Sequence, residues 1–213
     1  QRKGEQLEQL SREDALTGLA NRRHYDERIA TEIAQAQRHR RPLSLALIDV
    51  DHFKRINDSG GHAVGDAALA ALARLLQAHF RSGDLVARIG GEEFAVLLPE
   101  TRLVDAQAKL EDIRMVIAAW PLVPGHGATI SAGLAQWRPG EDRDALMRRA
   151  DLRLYQAKRE GRNRVLADLA DEDAPTALVP AASIEDFDDE EPTSRIAPEG
   201  LLLSTRYELL SLL

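Results

Sequence analysis

Glu92 and Glu93 stand directly behind Gly90-Gly91 within VARIGGEEFAVLL, residues 86–98, and Asp49 and Asp51 follow the apolar run Leu43 to Ile48. Carboxylates are hard oxygen donors. If the two segments lie side by side, Asp49 converges with Glu92 and Glu93 on a site suited to Mg²⁺ or Mn²⁺. The chain has no cysteine, which excludes a thiolate zinc site. Gly90-Gly91 between alternating apolar runs predicts a hairpin whose two-residue turn has positive φ at both glycines. Such a turn lifts the acids to a tip where backbone can approach a ligand. Taken singly, the same residues also fit an ordinary surface hairpin.

Cations and polar groups suited to a nucleotide occur elsewhere in the chain. Lys158 and Arg162 sit four residues apart at the end of a predicted helix, so they share a face and can reach a triphosphate together. Cations there also complement the helix dipole, whatever else they do. Asn57 to Gly61 (NDSGG) reads as a turn, and Asp66 as an N-cap before AALAALARLL.

The elements that must position these groups follow from hydrophobic period. Asn21 to Arg38, Val64 to Phe80, Arg102 to Ala119 and Asp142 to Glu160 read as helices. Leu43 to Asp49, Ala128 to Ala135 and Arg164 to Leu166 read as strands, and Val86 to Leu98 as the hairpin. Side chains alternate along a strand, so Asp49 and Asp51 share one face while Val50 points away. Strands alternate with helices except at the hairpin. The fold class is therefore α/β, a mixed central sheet with an antiparallel hairpin surrounded by helices.

At 213 residues and 44% hydrophobic content the chain builds one substantial core. No apolar run approaches the length of a membrane helix and no signal peptide opens the chain, so a cytoplasmic setting is expected. Residues 1–165 hold 26 Lys/Arg against 23 Asp/Glu, whereas residues 166–213 hold 2 against 12. The stretch 168–200 is thus expected to be an acidic, self-repelling linker, and so acidic a chain is not expected to bind nucleic acid. Leucines at 201–203, 209–210 and 212–213 suggest a short apolar helix or the start of a further domain. Leu7 and Leu10 among charges suggest a helical stalk over 1–13. Because the chain begins at Gln1, it is expected to be a fragment. Its sensory or receiver region would lie upstream, where any membrane anchor would also reside.

Five motifs in order carry a resemblance to a known family. They are DALTGLANRR (Asp14 to Arg23), DVDHFKRIND (Asp49 to Asp58), GHAVGD (Gly61 to Asp66), GGEEF (Gly90 to Phe94) and ADLRLYQAKREGRNRV (Ala150 to Val165). Over roughly Asp14 to Leu166 the chain resembles the GGDEF domain, the catalytic domain of diguanylate cyclases. The resemblance implies a palm-like nucleotidyl cyclase architecture over 14–167 and condensation of two GTP into cyclic di-GMP with release of two pyrophosphates. It implies a homodimer, each domain bringing one GTP. It also implies that Asp49, the carbonyl of Val50 and Glu92, with Glu93 nearby, hold the metal, and that Glu92 or Glu93 can accept the proton of the attacking hydroxyl. Lys158 and Arg162 would hold the β and γ phosphates, assisted by amides around His52 and Phe53 and by Lys54, with Gly90 and Gly91 in the signature turn. Asn57 and Asp66 would read guanine.

Arg81-Ser82-Gly83-Asp84, with five residues between Asp84 and Gly90, matches the family's inhibitory RxxD site for cyclic di-GMP. The position aligned with a further arginine of that site is Asp112, which leaves Arg114 as the neighbouring candidate. Gly60 stands where many relatives carry a larger residue. A different role open to this family is a regulatory module that binds GTP or cyclic di-GMP without turnover. It is taken by relatives with degraded motifs, and GGEEF here is intact.

Overall fold

The structure is a computed structural model that describes residues 12–169. In chain order the elements are β1 (Ala20–Asn21), α1 (Arg22–His39), β2 (Leu43–Val50), α2 (Phe53–Gly60), α3 (His62–His79), β3 (Leu85–Arg88), β4 (Glu93–Pro99), α4 (Leu103–Ala119), β5 (Ile130–Gln136), α5 (Arg143–Arg159) and β6 (Val165–Ala167). The expected stalk, acidic linker and C-terminal leucine pattern lie outside the described residues, apart from Arg12, Glu13, Asp168 and Leu169. Among the described residues no helix is long and apolar enough to cross a membrane.

The six strands form one mixed sheet in the order β1-β3-β4-β2-β5-β6. β2 pairs antiparallel with β4 and β5, β3 pairs antiparallel with β4, and the outer pairs β1–β3 and β5–β6 are parallel. Every residue of β2 is buried, as its nearly unbroken apolar run requires of a strand covered on both faces. Its even positions, Ala46, Ile48 and Val50, pack into one core with Leu69, Leu72 and Leu76 of α3 and Leu110, Ile113 and Ile117 of α4. Its odd positions, Leu43, Leu45 and Leu47, pack into a second core with Tyr25 and Ile29 of α1 and Leu146, Ala150 and Leu154 of α5. That parity places Asp49, the next odd residue, on the face covered by α5.

Helix α5 lies unusually close to the sheet because β5 offers a glycine beneath it. A Cβ on Gly133 would stand 2.1 Å from the Leu154 nitrogen and 2.2 Å from the Ala150 oxygen. Any side chain there would push the helix, and Lys158 with it, off the sheet. Asp142 caps α5 by accepting from the Ala145 amide at 2.7 Å, and Asn21 caps α1 by accepting from His24 at 3.0 Å. Two elements depart from the sequence expectation. Asn57 to Gly60 is not an isolated turn but the last turn of α2, and α3 starts at His62, so Asp66 lies within that helix rather than capping it.

Candidate functional site

The open end of β2 and the tip of the β3–β4 hairpin meet at the acids. Asp49 is the cross-strand partner of Glu93, and the Val50 amide donates to the Glu92 carbonyl at 3.3 Å. The hairpin is present, but its turn is not the two-residue form. Gly90 and Gly91 are absent from the positive-φ residues, and the Ile89 and Gly90 amides both donate to the Glu93 carbonyl, at 2.9 and 3.3 Å. A Cβ on Gly90 would stand 2.2 Å from the Glu93 Oε2, so a larger residue there would displace the Glu93 carboxylate. Glycine lets the Glu93 carboxylate fold back over the turn.

Two arginines brace the tip. Arg88 donates to the Gly91 carbonyl at 2.7 and 3.0 Å and to the Asp14 carboxylate at 3.1 Å, and Arg22 donates to the Ile89 carbonyl at 3.1 Å. The DALTGLANRR segment therefore fixes the turn that carries Glu92. Asp14 is itself held by the Thr17 amide and hydroxyl. Burial works against the Asp14 carboxylate, but the bonds from Thr17 and Arg88 outweigh it and leave its pKa below the ordinary value.

The acids have no comparable compensation. Asp49 is 5% exposed and is paired with Lys158, whose Nζ lies 2.8 Å from Oδ2. Burial raises the Asp49 pKa, Lys158 opposes it, and the charges of Glu92 and Asp51 add to it, so the group is pushed up to about 6. Glu92, half-buried, is also raised, first by burial and then by Glu93, against the pull of Lys158. Asp49, Glu92, Glu93 and Lys158 therefore share one electrostatic neighbourhood in which acids outnumber bases. Among the described residues no three acid, histidine or cysteine side chains are already gathered as a metal cage. What fits a hard divalent cation is the Asp49 and Glu92 pair beside the Val50 backbone, where negative charge is buried and only partly neutralised.

Asp51 behaves differently from Asp49. It is buried and fully engaged, accepting from Thr129 Oγ1 and Ser131 Oγ at 2.7 Å each and from the Asn163 amide at 3.0 Å. After it the chain turns through His52, at φ 53°, into α2. His52 provides no side-chain cap, so the first amides of α2, from Phe53 onward, face the end of β2 without one. Lys54 is exposed at that helix start.

Asn57 lies against Gly65, the residue before Asp66, where α2 meets α3. A Cβ on Gly65 would stand 1.9 Å from the Asn57 Oδ1, so GHAVGD supplies the gap that the Asn57 amide fills. Gly60 has a packing role of its own, because a Cβ there would meet Val64 at 2.7 Å. Lys158 lies in the last turn of α5, but Arg162 does not share its helix face. The helix ends at Arg159, and Gly161, Arg162 and Asn163 take φ of 110°, 61° and 47°. Gly161 after the last basic turn is a helix-stop signal that sequence reading could have used.

Arg81 and Asp84 lie at the opposite end of the hairpin from Glu92. Arg81 Nε donates to Asp84 Oδ1 at 3.1 Å, and its guanidinium also bonds the Pro99 carbonyl and Thr101. Arg114 is not with them. It sits far along α4, about 16 Å from that helix's start by helical rise, and bonds Glu111 at 2.6 Å and Asn163 Oδ1 at 2.7 Å.

Comparison with known proteins agrees with this fold. The profile of the family described as "Diguanylate cyclase, GGDEF domain" matches residues 11–164. The chain is 47% identical over 165 residues to the diguanylate cyclase DgcM of Escherichia coli K12, covering 76% of this chain and 40% of that protein. It is 46% identical over 155 residues to the diguanylate cyclase DgcP of Pseudomonas aeruginosa, covering 71% of this chain and 23% of that protein. The chain thus spans less than half the length of either relative. The crystal structure of the GGDEF domain of DgcB from Caulobacter crescentus in complex with c-di-GMP superposes with a TM-score of 0.71 at 36% identity, covering 73% of this chain and 92% of that one.

Proposed function

The chain belongs to the diguanylate cyclase GGDEF domain family, and from that premise we propose that it condenses two molecules of GTP into cyclic di-GMP. In each of two equivalent steps the 3′-oxygen of one nucleotide bonds to the α-phosphorus of the other. The bond from that phosphorus to the oxygen bridging to the β-phosphate breaks, and pyrophosphate leaves. The observation that carries the proposal is the partly neutralised acid cluster of Asp49 and Glu92 at the end of β2, with Lys158 2.8 Å from Asp49.

Asp49, the Val50 carbonyl and Glu92, with Glu93 adjacent, would hold a divalent cation such as Mg²⁺ or Mn²⁺, which when bound neutralises phosphate charge and acidifies an attacking hydroxyl. The chain's own groups do the rest. Lys158 and Arg162 bind the β and γ phosphates, together with the first amides of α2 around His52 and Phe53 and with Lys54. Arrival of phosphate gives the Lys158 ammonium a second anionic partner beside Asp49. Asp66 accepts from the guanine N1–H and N2–H₂ and Asn57 bonds the guanine edge beside it, while Gly90 and Gly91 leave room for the nucleotide against the turn. Glu92 or Glu93 takes the proton from the 3′-hydroxyl.

One domain brings one GTP, so two copies meet face to face as a homodimer to align each hydroxyl with the other nucleotide's α-phosphorus. Arg81 and Asp84 form a separate site where cyclic di-GMP restrains turnover, and the domain works in the cytoplasm. Incubation with GTP and Mg²⁺ followed by nucleotide chromatography tests the proposal. Cyclic di-GMP should form with the wild type and not with Glu92→Ala; absence of product from the wild type, as an isolated domain and when fused to a dimerising partner, would refute it.

A further inference from the structure

The break in α5 raises a question the helix itself does not answer. Lys158 is placed by the helix and by Gly133 beneath it, but Arg162 stands beyond the helix end, in the middle of three successive positive-φ residues. Left-handed backbone is uncommon outside glycine, so such a turn persists only where its surroundings hold it. Two separate elements do so here. From the end of β2, the buried Asp51 carboxylate accepts the Asn163 amide at 3.0 Å. Asp51 is in turn fixed by Thr129 and Ser131 at 2.7 Å each. From α4, Arg114 donates to the Asn163 Oδ1 at 2.7 Å, and Glu111 holds Arg114 at 2.6 Å. Asparagine suits this position because it tolerates φ of 47° and its side chain can accept while its backbone donates. The Arg162 amide closes the turn onto the Ala157 carbonyl at 3.0 Å.

We propose that Asp51, Asn163 and Arg114 are positioning residues that hold the Gly161–Asn163 turn so that Arg162 is presented to the nucleotide phosphates. The proposal rests on the assignment of Arg162 to phosphate made above. It also gives Arg114 a task at the nucleotide end of the sheet, away from Arg81 and Asp84. Arg114 is only 15% exposed on its side chain, and its bonds run to Glu111 and Asn163, so it acts through the turn rather than on the ligand.

The test is a double-mutant cycle between Arg114→Ala and Arg162→Ala, read by KM and kcat and by affinity for a non-hydrolysable GTP analogue with Mg²⁺. Arg114→Ala should weaken nucleotide binding about tenfold with kcat within about twofold, and Arg114→Lys, which keeps one donor, should recover part of the loss. In the Arg162→Ala background, Arg114→Ala should add less than about a twofold further loss. Hydrogen exchange at 161–164 should accelerate about tenfold or more in Arg114→Ala while the β2 and β5 amides stay protected. Losses that multiply in the double variant, or unchanged exchange at the turn, would overturn the positioning role. An Arg162→Ala variant that binds nucleotide normally would instead remove the phosphate assignment, and this inference with it.

Discussion

Helix α5 carries a charge cluster in each half, and the two are built on opposite terms. In the first half, Arg149 donates to Glu141, to the Gln136 carbonyl and to Asp168, while Arg153 and Arg138 also bind Asp168. Burial disfavours the Asp168 carboxylate, but bonds from Arg149 and Arg153, and then their charges, outweigh it and hold its pKa below the ordinary value. In the second half Lys158 faces Asp49 and Glu92, and both acids are raised. A cluster in which every carboxylate has an arginine partner fastens helix to sheet. A cluster with negative charge left over waits for a cation from outside.

Breaking each cluster in turn should give opposite phenotypes. The largest effect is expected for Glu92→Ala, which should lower cyclic di-GMP formation by at least about 100-fold, seen by chromatography, with the melting temperature unchanged or higher. Arg149→Ala should do the reverse. By leaving Asp168 and Glu141 partly buried with fewer partners it should cost about 2–3 kcal/mol in urea unfolding, with activity per folded molecule retained.

The two acids should also give opposite slopes of stability with pH in metal-free protein. The depressed pKa of Asp168 contributes stability that is present above its unfolded value of 3.8 and lost as pH falls through the lower folded value. Asp49, raised to about 6, contributes stability that is fully present below 3.8 and is lost as pH rises through 6. Asp49→Asn should therefore stabilise the metal-free protein at pH near 7 by on the order of 1–3 kcal/mol, and by almost nothing at a pH below 3.8. Urea titrations across that range measure both. The smallest effect is expected at a third charge pair of intermediate character. Arg81→Ala, at a half-exposed guanidinium, should change stability by less than about 1 kcal/mol and the initial rate by less than about twofold, while relieving the slowing that follows product accumulation.

Much of this contrast was legible in the sequence, for local reasons. The apolar run of β2 announced a strand, and its parity placed Asp49. The alternation around Gly90-Gly91 announced the hairpin that brings Glu92 and Glu93 opposite. What escaped depended on partners remote in sequence or on backbone shape. Helix α2 buries only Phe53 and Ile56 and ends in Asn-Asp-Ser-Gly, so turn-forming residues masked a helix of 8 residues. The Arg88 clamp on Asp14 joins positions 74 apart, and the Asp51 bond to Asn163 joins positions 112 apart. Neither spacing leaves a periodic trace. The glycines of the turn were read as suppliers of positive φ, whereas neither has one, and Gly90 instead lies against the Glu93 carboxylate. Four-residue spacing placed Lys158 and Arg162 on one helix face, but Gly161 had already ended the helix.

The claim that the acid end of α5 is incomplete without a cation is tested most directly by calorimetric titration with a non-hydrolysable GTP analogue, with Mg²⁺ and with chelator, in wild type and Glu92→Gln. Mg²⁺ should tighten binding by at least about tenfold in the wild type and by less than about twofold in the variant. Equal affinity with and without the ion, or full enhancement in the variant, would contradict it.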